Sequence, residues 1–226
     1  MTFPSDASRQ AKRTLGHMAL NYRVPEEGPL AARLMQRLGF SVVKEFPLPH
    51  GGRFYQLVVD DKASNNGDGI IYMAPVPEPE RALYAAVHEA LGVGTGLEHP
   101  GVAALRATQA ADPEAGFHVG ILYDSLEAIE EAMLTLQDWA DNDPDFKGRL
   151  TLLCNRSRRG TPAVDERLDA SPVFATTPRF TYGRHAVQAF VETDIFASGP
   201  LGRSLVLELD YVFPGYPDNI FTATEL

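Results

Sequence analysis

The stretch Gly16-His17-Met18-Ala19-Leu20-Asn21-Tyr22 puts a histidine at the head of an apolar run, followed by a turn and an amphipathic helical segment. In the second half of the chain Gly116-Phe117-His118-Val119-Gly120-Ile121-Leu122 repeats that plan. A repeated unit that carries a metal-capable side chain at the same place in each copy predicts a duplicated fold with a site shared between the copies. One copy offers a single imidazole, whereas two offer the start of a coordination sphere.

The local signals around each histidine run in the same order. Residues 16–23 read as a strand. Leu30, Leu34 and Leu38 recur every four residues with Ala31 and Met35 beside them, which predicts a helix over 27–40 stopped by Gly39. Strands follow over 41–48, 53–60 and 70–76, and Asn65-Asn66-Gly67-Asp68-Gly69 marks the turn before the last of them. The second copy begins with a strand over 116–123. Asp124 then reads as an N-cap, with Glu127 completing a capping box, and Leu126, Ile129, Met133 and Leu136 form a helical face that closes at Trp139 or Ala140. Strands are expected over 148–154, 185–196 and 204–213, interrupted by a polar, proline-punctuated insertion over 156–177 and by the turn Ser198-Gly199-Pro200-Leu201-Gly202. Between the copies, 81–91 and 102–111 have helical composition and flank Gly92–Gly96, as in a connector packed on the outside. Residues 1–14 are polar and expected to be loose. The chain thus reads as one α+β domain over 1–226: a first module at 15–76, a helical connector at 77–115, a second module at 116–214 and a tail at 215–226.

Bulk properties narrow the function. With 20 Lys and Arg against 30 Asp and Glu, the net charge is −10, so nucleic acid is not an expected partner, since phosphate binding needs clustered cations. Arg156-Ser157-Arg158-Arg159 is the densest basic run, and its polar setting reads as a solvated loop. The single cysteine, Cys154, excludes an internal disulfide and points to a reducing compartment. It sits in Leu150-Thr151-Leu152-Leu153-Cys154, the setting of a buried structural thiol. No run approaches the roughly 20 apolar residues of a membrane span, and the first residues lack the basic-then-apolar order of a signal peptide. The expected location is cytoplasmic, with no membrane partner.

Two consecutive strand–helix–strand–strand–strand modules, each opened by a motif such as Gly16-His17-Met18-Ala19-Leu20-Asn21, resemble the vicinal oxygen chelate superfamily, which includes glyoxalase I, type I extradiol dioxygenases, fosfomycin-resistance enzymes and bleomycin-binding proteins. Tyr182-Gly183-Arg184-His185, Ile195-Phe196, the Pro200–Gly202 turn and Leu207-Glu208-Leu209 are similar to the C-terminal signature of type I extradiol dioxygenases in particular. The resemblance implies two βαβββ modules forming a cupped mixed β-sheet with the helices outside. It implies that His17, His118 and Glu208 ligate a divalent metal, Fe(II) first, with Mn(II), Zn(II) or Ni(II) also suited to two imidazoles and a carboxylate. By the same resemblance His185 is the catalytic histidine that contacts substrate or bound oxygen. Phe196 stands where the dioxygenases have a catalytic tyrosine, and Tyr72 stands where glyoxalase I has a glutamate; both are expected to face substrate. Pairing across subunits, as a homodimer, is expected from the family.

Two readings of the carboxylate remain open from sequence. Glu208 lies inside Leu205-Val206-Leu207-Glu208-Leu209, where an unpaired charge is costly; alternatively, strand alternation puts Glu208 and Asp210 together on a solvent face. Asp210 is expected to face substrate with Tyr72 and Phe196, and is the substitute ligand if the register shifts by two. Asp68 is a turn former that could also serve as a base. His50, His88 and His99 read as surface residues. Phe46, Phe54, Tyr55, Phe117, Phe174, Phe180 and Phe190 suit either an apolar cup for an aromatic small molecule or a plain core. The expected activity is metal-dependent ring cleavage of a catechol-like substrate. The alternatives are a glyoxalase-like lyase or isomerase and a metal-free drug-binding protein.

Overall fold

The structure is a computed structural model in which residues 15–59, 69–179, 184–197, 199 and 205–216 are described. The first copy runs β1 (His17–Tyr22), α1 (Gly28–Arg37), β2 (Ser41–Pro47), β3 (Arg53–Val58) and β4 (Ile70–Pro75). The connector holds α2 (Glu78–Ala90) and α3 (Pro100–Ala111). The second copy runs β5 (His118–Leu122), α4 (Leu126–Asn142), β6 (Leu150–Arg156), α5 (Pro162–Asp169), β7 (Ala186–Thr193), β8 (Phe196–Ala197) and β9 (Leu205–Val212).

Two mixed sheets result, ordered β2-β3-β4-β1-β8 and β5-β9-β7-β6. Leaving out the short β8, the orders are the same. In each copy the first strand pairs in parallel with the last, and the remaining pairs are antiparallel. The chain is therefore an α+β protein with a duplicated βαβββ plan. Position 2 of each leading strand gives one face and position 3 the other. Leu20, Tyr22, Leu57, Ile71 and Met73 from the first sheet and Ile121, Val191, Leu207 and Leu209 from the second join the apolar faces of α1 and α4 in one continuous core. The histidines lie on the opposite faces.

Local chemistry explains where elements begin and end. Helix α1 is shorter than its apolar period predicts, because Pro25–Glu27 forms a 3-10 turn and Gly39, at φ 95°, takes the left-handed position that stops the helix. Gly52 has φ 76°, and a side chain there would collide with the Tyr22 hydroxyl, which both donates to the Arg53 carbonyl (2.7 Å) and accepts from the Arg53 N–H (2.8 Å). Ser125, rather than Asp124, caps α4: its Oγ accepts from the Ala128 N–H at 3.2 Å, and the helix runs on to Asn142.

The insertion over 156–177 is more ordered than its polar, proline-rich sequence suggests. It contains α5, whose Arg167 bonds both oxygens of buried Glu130 on α4 (3.0 and 2.7 Å), and Ser171 Oγ donates to the same carboxylate. The basic run at its start is solvated only in its second half, where Arg158 and Arg159 are exposed. Arg156 is 8% exposed, Ser157 is fully buried, and Arg156 pairs with Asp169 at 2.7 Å. The two copies are tied together by Arg33 over the Trp139 ring (4.5 Å), by Arg149 bonded to Glu27 and Asp194, and by the Tyr123 hydroxyl on the Leu38 carbonyl (2.9 Å). No helix among the described residues is long and apolar enough to cross a membrane.

Candidate functional site

In the second sheet the pairings His118↔Val206, Gly120↔Glu208 and Leu122↔Asp210 put His118, Glu208 and Asp210 on one face. Across β7, Phe190 and Gln188 stand opposite Glu208 and Asp210 and share that face. Glu208 and Asp210 are 5% and 6% exposed, so the solvent-face alternative for this strand does not hold. His118 Nε2 lies 3.6 Å from Glu208 Oε2. Gln188 Nε2 donates to Glu208 Oε1 and to Glu114 Oε1, both at 2.7 Å, and so brings in a third carboxylate from the 3-10 turn Pro113–Ala115.

The electrostatics of this cluster follow from its burial. Asp210 has its pKa raised to about 8, first by burial, then by the Glu208 charge and a hydrogen bond to it, and by the Glu114 charge. Its carboxyl therefore holds a proton at neutral pH, shared with Glu208. The Glu114 pKa is also raised, chiefly by burial. Asp210 Oδ1 is buried with no hydrogen-bond partner.

His118 has a defined orientation. Its Nδ1 lies 3.1 Å from the Gly116 carbonyl oxygen. A carbonyl can only accept, so Nδ1 carries the hydrogen, and in the neutral ring the Nε2 lone pair is turned toward Glu208. Backbone support of this kind commonly orients a metal-binding imidazole.

The first sheet carries different chemistry on the same positions. His17 is exposed on β1 and packs on Tyr72 with ring centroids 4.9 Å apart. Tyr72 packs on Phe54 (5.5 Å), Phe54 stacks on Phe46 (4.9 Å), and Lys44 Nζ lies 5.7 Å from the centre of the Phe46 ring. One ladder of rings thus crosses β1, β4, β3 and β2.

The structure therefore brings two of the three expected metal ligands together, His118 and Glu208, with Asp210 beside them. Their 3.6 Å separation suits two donors to one ion. His17 is engaged with Tyr72, and among the described residues no three His, Cys, Asp or Glu side chains are placed to hold a metal ion. His185 lies elsewhere. Its carbonyl accepts from Phe213, about 15 Å of strand beyond Glu208. Its ring stacks on Tyr216 (4.1 Å), and its Nε2 lies 2.8 Å from Thr161 Oγ1. Phe196 is 1% exposed on β8, where it pairs with Tyr22 of β1. Of the aromatic candidates, Tyr55 and Phe174 are core residues, while Phe190 is buried beside Glu208. His99 is a cap, its Nδ1 accepting from Gly101 at the start of α3. Asp68, Phe180, Tyr182, Gly183 and most of the turn over 198–202 lie outside the described residues.

Gln188 and Glu114 had no place in the sequence reading. The one available signal is a lone amide in the apolar run Ala186-Val187-Gln188-Ala189-Phe190-Val191.

No protein-family model and no curated protein matches the sequence. Among solved structures, the chain is similar to a glyoxalase/bleomycin resistance protein/dioxygenase family enzyme from Burkholderia phytofirmans PsJN, with 14% identity and a TM-score of 0.36 over 89% of this chain and 100% of that one. It is also similar to a xylose isomerase-like TIM barrel/4-hydroxyphenylpyruvate dioxygenase fusion protein, with 15% identity and a TM-score of 0.20 over 90% of this chain and 27% of that one.

Proposed function

We propose that this chain is a vicinal oxygen chelate protein whose second module holds a divalent cation between His118 and Glu208 and presents it to a small molecule with two adjacent oxygens. The observation that carries this reading is the facing of two electron-rich atoms. His118, oriented by its Nδ1–H on the Gly116 carbonyl, turns Nε2 toward Glu208 Oε2 at 3.6 Å. An imidazole nitrogen and a carboxylate oxygen so placed are the two kinds of donor that a divalent cation takes.

When bound, the cation supplies Lewis-acid polarisation of the substrate oxygens. The protein groups supply the rest. Gln188 holds Glu208 by one oxygen and leaves the other toward His118. The Asp210 carboxyl, protonated at neutral pH, is a proton reservoir two residues along the same face. His17, on the leading strand of the other sheet and packed on Tyr72, is the third ligand in this proposal. The ring ladder in the first sheet supports a planar aromatic substrate, and on that ground ring cleavage of a catechol with Fe(II) is the preferred reaction. His185 has no part in it at its observed position.

The test is calorimetric titration of chelator-treated protein with Fe(II), Mn(II) and Zn(II), followed by oxygen uptake with a catechol panel. One ion per chain, lost in His118→Ala and Glu208→Gln, is expected. Unchanged binding in both variants would sink the site, and Fe(II) binding without oxygen uptake would sink the oxygenase.

A second reading, stoichiometric binding of an aromatic molecule without turnover, is favoured by the exposed ladder alone. It is recognised by catechol binding that survives Glu208→Gln.

A further inference from the structure

The seam where the connector helices meet both sheets contains a cavity of about 360 Å³. That is within the size range of small-ligand sites. Its floor is β8 and the end of β4; its walls are α2 and α3. Three guanidinium groups line it, Arg23, Arg81 and Arg106, in a chain whose net charge is −10. Val76, Val102 and Phe196, all buried, give it an apolar side.

The positive charge in the cavity is only partly neutralised. Arg106 is paired with Glu98 at 2.7 Å. Arg23 reaches Asp194 at 3.7 Å, but that carboxylate is bonded more closely to Arg149, at 2.8 Å. Among the described residues Arg81 donates to the Val76 carbonyl at 2.7 Å, which is a neutral acceptor. The nearest acid in sequence, Glu80, is bonded to the Tyr84 hydroxyl. Among the described residues these three cations thus share one whole carboxylate and part of another, and Arg81 in particular has N–H donors left for a ligand.

We propose that this seam is a binding site for an organic anion, with a carboxylate or phosphate head on Arg81 and its neighbours and an apolar body against Val76, Val102 and Phe196. An arginine fork matches either head by paired hydrogen bonds, which is how such groups are recognised in partly buried settings. The site is separate from the carboxylate-rich face of the second sheet, which repels anions. It joins three parts of the chain, since α2 and α3 belong to the connector, Val76 follows β4 of the first copy, and Phe196 comes from the second. An anion bound there clasps the connector onto the seam, and the folded state gains stability in proportion to its occupancy.

The experiment is calorimetric titration of the whole chain, with a chelator present, using hexanoate, phenyl phosphate and the neutral hexanamide. Thermal melting is followed in parallel. Expected are saturable binding of one or both anions, at least about tenfold weaker binding of hexanamide, and a rise in melting temperature with the anions only. Arg81→Gln is expected to weaken the anions at least about tenfold; if that variant melts early, Arg106→Gln serves in its place, and the Nε–H resonances of the arginines in the unmodified protein report contact directly. Preference for carboxylate over phosphate, or the reverse, identifies the head group. The proposal is overturned if hexanamide binds as tightly as hexanoate, if neither anion binds at millimolar concentration, if both arginine variants keep full affinity, or if Glu208→Gln abolishes anion binding.

Discussion

The two sheets are copies of one plan with opposite chemistry on equivalent positions. In β4 and β9 the residues beside the leading histidines are Ile70 and Val206, and two places further on stand Tyr72 and Glu208. Tyr72 is therefore the counterpart of Glu208, and Ala74 that of Asp210. The tyrosine turns the first histidine into the end of a ring ladder, while the glutamate gives the second a carboxylate neighbour at 3.6 Å. Duplication preserved the scaffold because its buried faces (Leu20 and Met73 in one copy, Ile121 and Leu209 in the other) must fill the same core. The opposite faces differ: His17 is exposed on the first, whereas Glu208, Asp210, Gln188 and Phe190 are buried on the second.

The connections differ as well, and breaking that difference has the largest expected effect. The first copy joins β2 to β3 by a tight turn through Gly51 and Gly52. The second inserts α5 and docks it on α4 through Arg167, Glu130 and Ser171. Arg167→Ala leaves Glu130 buried without its cation, which costs about 3 kcal/mol or more; chemical denaturation should show the loss, and an unchanged midpoint would mean the insertion adds nothing to the second module. Next in size is an exchange of the counterpart residues. Glu208→Tyr should lower cation affinity about 100-fold, a ligand loss at least as severe as loss of a supporting group. Tyr72→Glu should create a weaker second site beside His17. Calorimetry that finds one unaltered site in both variants would refute the equivalence.

The scaffold was legible from sequence because it rests on short-range signals. The four-residue apolar period, Gly39 and the histidine-led apolar runs each act within one element, and all appear where expected. Site membership was legible only where it follows from strand alternation: Glu208 and Asp210 share a face because they are two apart. Gln188 and Glu114 escaped notice because their role depends on which strands are neighbours, a fact that no local pattern carries. His185 was misplaced for the same reason. Its sequence surroundings resemble a catalytic motif, but the register that sets Phe190 beside Glu208 leaves His185 at the far end of β7. The basic run at 156–159 read as solvent-exposed because the acid that pairs with Arg156 and Arg159, Asp169, is supplied by a helix that folds back over it.

The acidic face has a pH signature that the aromatic face lacks. The Asp210 pKa is raised in the folded chain above its unfolded value of about 4. Its contribution is fully present below that unfolded value and is lost as pH rises toward 8. In chelator-treated protein, stability should therefore fall across this window relative to Asp210→Asn, whose amide replaces the protonated acid as donor to Glu208. Because the proton is shared with Glu208, the gap between the two proteins should reach about 2 kcal/mol at pH 8 and vanish near pH 4. Parallel stability curves would show that the carboxyl is ionised throughout. Tyr72→Phe, on the other sheet, should leave the pH profile as it is.

The smallest effect belongs to the ring ladder, and it separates recognition from chemistry. Phe54 is the middle of the ladder, touching both Tyr72 and Phe46. An aromatic contact of this kind is worth about 1 kcal/mol, so Phe54→Ala should weaken catechol binding roughly fivefold while leaving cation affinity at the other sheet unchanged. Leu153, on β6 opposite Phe190, serves as the control: it is 43% exposed and is the counterpart of Lys44 rather than of a ladder ring. Its change to alanine should leave catechol affinity where it was. Equal losses in the two variants would mean that the planar substrate touches both sheets, and the division of labour between the copies would then reduce to a difference in what each happens to expose.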